Sequence, residues 1–250
     1  MIARLGLIAF ALSMASGCAV DAQRRISSQT EQLIDGGSTP AQPQSVHSDL
    51  IRGMLARDQN YAALAHVQAQ QGKTGDSDEL RLLEAEARRK LGQSKQAWLL
   101  YRELLQSPYD AEAYHGLGLI AVGPELDSGI RYLREATRRK PTHAVMRSDL
   151  GFALMQAGDY DAAMLELSTA VELDVSGGAR ARNNLILLML VQDKEKDAVR
   201  LAARAGLDET ALNGLRAKAE QMQARRRRAE PAEESTDASE SDASTPPPAS

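Results

Sequence analysis

The 250-residue chain is predicted to be all-α, a solenoid of about five helix pairs closed by one further helix. Three observations carry this. Small residues recur at a nearly constant interval: Ala63, Ala97, Gly129, Ala163 and Ala198 are separated by 34, 32, 34 and 35 residues. Around them the apolar side chains follow the i, i+3, i+4 spacing of one helix face. Aromatic residues make up only 4% of the chain, whereas Ala and Leu recur throughout. That composition does not suit a β-sandwich, whose strands need β-branched and aromatic side chains.

At the N-terminus a short positive start ending at Arg4 precedes an apolar run over residues 5–12. Ala15, Ser16 and Gly17 then lead into Cys18. This is the layout of a secretory signal, and the run is too short to span a bilayer as a helix. The small-small-Cys ending resembles the lipobox of bacterial lipoproteins. The resemblance implies that a signal peptide, residues 1–17, is removed and that the exposed Cys18 is acylated. Cys18 is the single cysteine of the chain, so an internal disulfide is impossible. Acyl chains contribute ~0.8 kcal/mol per buried methylene, so several of them make the anchor effectively permanent. Ala19 stands where an Asp would resemble an inner-membrane retention signal. The expected location is therefore the periplasmic face of the outer membrane, with a lipid anchor.

Residues 18–46 read as the lipidated N-terminus followed by a Gln/Ser/Asp-rich tether with Gly36, Gly37, Pro40 and Pro43. As a flexible coil it would span about 30 Å, enough to hold a domain off the bilayer.

The solenoid is expected over residues 47–228. Four residues after each small residue stand Val67, Tyr101, Leu133, Leu167 and Ala202. The pairs Leu117-Gly118 and Leu150-Gly151 lie 33 residues apart, and so do Pro108 and Pro141. The clearest unit combines Leu150, Gly151, Leu154, Gly158, Tyr160, Ala163, Leu167 and Ala170. In it Gly158 supplies a left-handed residue to end the first helix, and Asp159 is an N-cap for the second. Gly118, Gly151, Ala163 and Ala198 are the positions where two antiparallel helices cross closely. No single unit buries enough apolar surface, so neighbours must stack. This pattern resembles the tetratricopeptide repeat (TPR), with three good units and two degenerate ones at residues 47–72 and 77–107. The first unit has Gln70 at an apolar position, the third is one residue short at Val122, Gly123 and Pro124, and the fourth has Val175, Gly177 and Gly178 where a Pro would close it.

From Glu209 to about Arg227 the chain reads as an amphipathic capping helix, with Leu212, Leu215 and Met222 on one side. Residues 229–250 form an acidic Ser/Pro tail without apolar periodicity, expected to be disordered. The four arginines at 225–228 invite a nucleic-acid or anionic-lipid reading, but they suit a helix C-terminus better, where cations are favoured by the dipole. With a net charge of −4 and an isoelectric point near 5.7, the chain has no basic field for nucleic acid.

No catalytic constellation is legible. His47, His66, His115 and His143 fall in separate units without metal-ligand spacing, and neither a Gly-x-Ser-x-Gly elbow nor a phosphate-binding Gly-rich loop occurs. The expectation is a non-enzymatic binding module without metal or cofactor.

In a TPR stack the first helix of each unit lines the concave side. Matched offsets from Leu117, Leu150 and Leu185 place Leu119, Ser148, Phe152, Met155, Asn183, Leu187 and Leu190 along that side. They are expected to form a partner-binding groove for an amphipathic helix or extended peptide. The same offsets also suit Phe152 and Leu187 packing against a neighbouring helix. Lipobox, tether, TPR stack and cap together resemble the TadD family of lipoproteins from tight-adherence (Flp-type) pilus systems. The stretch Arg180, Asn183, Asn184, Leu185, followed by Asp197 and Ala198, is similar to that family's last repeat. The resemblance implies a pilotin-like role toward an outer-membrane secretin or another pilus assembly protein. A TPR lipoprotein of another envelope assembly system (type IV pili or outer-membrane protein insertion) and an adaptor recruiting a cell-wall hydrolase remain alternatives.

Overall fold

A computed structural model describes residues 43–174 and 179–229 of the chain. The signal peptide, Cys18, most of the tether, Val175, Gly177, Gly178 and the acidic tail beyond Ala229 lie outside the described residues. Among the described residues there are eleven α-helices, one 3-10 turn and no strand. The helices are α1 (Pro43–Ala56), α2 (Asn60–Thr74), α3 (Asp78–Lys90), α4 (Ser94–Glu103), α5 (Asp110–Ala121) and α6 (Leu126–Arg139). They continue as α7 (Ala144–Ala157), α8 (Tyr160–Leu173), α9 (Ala179–Val191), α10 (Glu195–Arg204) and α11 (Glu209–Ala229). The 3-10 turn, Leu104–Gln106, closes α4. The solenoid of helix pairs is thus observed, and each pair packs on the next. One boundary differs from the sequence reading. Helix α1 begins at Pro43, inside the stretch assigned to the tether, because proline is well suited to the first helical position, where no N–H is needed.

Helix ends follow local chemistry. Ser77 caps α3 by accepting from the Leu80 N–H at 3.2 Å. Asp78 and Glu79 sit in the first turn of α3 and Arg88, Arg89 and Lys90 in its last, each sign matched to the helix dipole. Gly158 adopts φ +82° after α7, and the Asp159 carboxylate accepts from the Ala162 N–H at 3.3 Å to start α8. Both ends agree with the sequence reading. An unforeseen cap is His143, whose Nδ1 accepts from the Met146 N–H at 3.3 Å.

The repeat positions form the core. Ala63, Ala97, Ala163 and Ala198 are fully buried, as are Val67, Leu133 and Leu167. The degenerate first unit still closes: Ile51 and Leu55 pack with Ala63, Val67, Leu80, Leu83 and Ala87. Gln70, the polar residue at an apolar position, is only 8% exposed, and its backbone carbonyl accepts from the Thr74 hydroxyl. Close helix crossings need glycine. A Cβ on Gly151 would stand 2.6 Å from Leu167 Cγ, and one on Gly118 would stand 2.7 Å from Leu133 Cγ. Gly116 is tighter still, since its Cβ would fall 2.2 Å from Cζ of Tyr101.

That Tyr101 ring carries a pH prediction. Burial pushes its phenol up to about 12, against the opposing pull of Arg89. The folded chain therefore holds the phenolic proton more tightly than the unfolded chain. Its contribution to stability is complete below pH 10 and is lost as pH rises from about 10 to 12, a difference of about 2–3 kcal/mol. Thermal melts between pH 8 and 11 should show a steeper alkaline loss for the wild type than for Tyr101→Phe. Parallel curves would mean that the phenol ionises without opening the helix crossing.

Candidate protein-binding face

The first helices α3, α5, α7 and α9 are the elements from which a binding face can be built, because side chains at one repeat offset line up across the stack. Repeat-spaced polar contacts run along them. The imidazole Nε2 of His115 hydrogen-bonds to Asp149 Oδ2 at 2.8 Å, and the other oxygen of Asp149 accepts from Arg180 at 3.4 Å. Next to this chain, the Asn184 amide donates to the Ser148 hydroxyl at 3.1 Å. Lys140 pairs with Glu112, and the Arg139 guanidinium lies 4.0 Å over the Tyr114 ring while donating to Asp110. Sequence reading took His115 as a solitary histidine. Its 34-residue distance from Asp149, one repeat length, is the signal that joins the two.

The seven residues expected to line the groove separate into two groups. Leu119, Phe152 and Asn183 are half-buried, and the Asn183 Oδ1 is shielded from solvent without a hydrogen-bond partner. Leu187, Met155 and Leu190 are instead core residues, 0%, 2% and 6% exposed, and Ser148 is buried under its bond with Asn184. These four do not form an open groove wall. Helix α11 also packs against α9. Leu212 and Ala219 of α11 are buried in the same cluster as Met155, Leu187 and Leu190, with Leu215 and Met222 packed beside them. Phe152 belongs to this cluster too, and the Lys218 ammonium lies 4.6 Å above its ring. The sequence alternative, packing against a neighbouring helix, is what the structure shows for Leu187.

Elsewhere, a mainly apolar cleft of about 540 Å³ opens between α4, the end of α5 and α6. Trp98, Leu99, Ile120, Pro124 and Tyr132 line it, and Leu99 is 59% exposed. The Trp98 and Tyr132 rings meet edge to face at 5.6 Å. It lies at the one-residue-short turn, where Val122 packs so close to Gly129 that a Cβ there would come within 2.6 Å. Among the described residues, no group of three or more His, Cys, Asp or Glu side chains could hold a metal ion, and no helix is long and apolar enough to cross a membrane.

No family model matches the chain. A TPR repeat-containing protein of Pseudomonas aeruginosa is 36% identical over 179 residues, covering 71% of each chain. Among solved structures, a thermophilic TPR protein of Thermus thermophilus matches with a TM-score of 0.58 at 20% identity, covering 71% of this chain and 97% of that one. The second likeness speaks for the fold alone; the first, with the repeat geometry above, settles kinship. The chain belongs to the TPR repeat protein family.

Proposed function

We propose that this TPR protein is a lipid-anchored periplasmic scaffold of the outer membrane, with a pilotin-like role toward the secretin of a tight-adherence pilus system. TPR stacks present side chains of successive first helices to protein partners, which supports a binding role over chemistry. The observation that carries the anchor is Cys18, the single cysteine, placed directly after small residues and an apolar run. The similarity of Arg180, Asn183, Asn184, Leu185, Asp197 and Ala198 to the last TadD repeat supports the choice of partner.

Two arms test the reading. Cys18→Ser should abolish incorporation of a palmitate analogue and release the chain from membranes or leave its signal uncleaved; equal labelling of the variant would refute the anchor. In a strain lacking the chain, secretin multimers should be lost from the outer-membrane fraction, restored by the wild type and not by Cys18→Ser. Normal multimers in that strain would remove the pilotin role while leaving the anchor standing.

A further inference from the structure

Helix α11, the last described helix, packs on α9 through a sparse seam. Its 21 residues bury only Leu212 and Ala219, with Leu215 and Met222 half-covered. The four fall at i, i+3, i+7 and i+10, the anchor spacing of an amphipathic helix laid in a groove. The remaining attachments are polar and lie along the flanks. Arg216 donates to Glu195 of α10 at 2.7 Å, while its bond to Glu209 at 2.8 Å lies within α11 itself. Gln223 donates to the Val191 carbonyl and to Asp193 Oδ1, both at 3.0 Å. Lys218 stacks over Phe152, and the Arg226 guanidinium lies 5.2 Å over the Tyr160 ring. The segment 209–229 carries six basic residues against two acidic ones. What it meets is complementary: apolar side chains of α7 and α9, two aromatic faces, and the carboxylates of Asp193 and Glu195.

We infer that the face formed by α7 and α9 is a receptor for a basic amphipathic helix, which α11 occupies in cis and a helix of a partner protein with the same chemistry occupies in its place. The inference rests on the scaffold reading above and says which face is used and what fits it. Residues expected in the groove, Phe152, Met155, Leu187 and Leu190, are then covered because an occupant is already seated. A sparse apolar seam supplemented by solvent-edged ion pairs and ring contacts is weak enough to exchange, since exposed ion pairs contribute little each. Occupancy in cis lowers the apparent affinity of any competitor by the fraction of time the face is open.

The test uses the full chain and a fluorescein-labelled synthetic peptide of residues 209–229. One variant, Leu212→Glu with Ala219→Glu, removes the apolar seam; a second, Arg216→Glu with Lys218→Glu, reverses the flank charges and leaves the seam. Both should bind the wild-type peptide saturably, about tenfold or more tighter than the wild-type chain does, because the face is no longer shielded. Binding should weaken with added salt, and a peptide carrying the same Glu substitutions should not bind. If both variants melt cooperatively and neither binds the peptide better than wild type, α11 is a fixed cap and the inference fails. Loss of the cooperative melt in both variants would make α11 part of the fold and overturn it equally. A concentration-dependent dimer of the wild-type chain that exchanges α11 would assign the face to a second copy instead. None of these outcomes depends on the secretin, so failure here is separable from failure of the pilotin role.

Discussion

Gly151→Leu should lower the thermal midpoint of the whole stack. A single Cβ at this position already stands 2.6 Å from Leu167 Cγ and 3.3 Å from the Ala163 carbonyl oxygen. The leucine branch must push α7 away from α8, and overpacking of this kind costs ~1–3 kcal/mol. In a chain of this size each kcal/mol moves the midpoint by about 2–4 °C. Because units support their neighbours, the loss should spread to α5, α6, α9 and α10 and not stay local. Gly72 is the control: in α2, a Cβ there meets nothing within 4 Å. Gly72→Ala should therefore stabilise by about 0.5–1 kcal/mol, the helix-propensity difference alone. Circular dichroism melts of both variants measure the contrast, and equal midpoints would show that these glycines do not set the helix distance.

Leu187→Ala is the second large effect, and it separates two roles for one side chain. Leu187 is fully buried in the cluster that joins α6 through α11, so its truncation should cost about 2–5 kcal/mol from lost transfer energy and the cavity left behind. Phe152→Ala, at a half-buried ring under Lys218, should cost less than Leu187→Ala. Urea unfolding gives both values. A Leu187→Ala midpoint equal to wild type would place the side chain on an open surface after all.

The repeat register was legible because it depends on short-range rules. Ala63, Ala97, Ala163 and Ala198 mark crossings by size, Gly158 ends a helix by its φ, and Asp159 starts one by its carboxylate. Gly118 was readable as a packing residue, yet that the Tyr101 ring fills the space beside Gly116 depends on how two units meet. The burial of Met155, Leu187 and Leu190 was not legible for a similar reason. The pattern Leu212, Leu215, Met222 shows which side of α11 is apolar, but not which surface receives it. Met155, Leu187 and Leu190 share one buried cluster with Leu212 and Ala219 of α11, a meeting that the repeat offsets do not encode. The pairing of His115 with Asp149 hides in plain sight at repeat spacing, because a lone histidine has no local motif to join.

Partner binding itself is tested most directly by titrating the purified, full mature chain with the detergent-solubilised secretin from the same genome. Under the proposed role the expected result is saturable binding that Cys18→Ser leaves intact in solution, since a lipid anchor would place the scaffold without making the contact. Absence of binding by a wild-type chain with a normal melting midpoint would contradict the secretin scaffold and move the partner search to another envelope assembly.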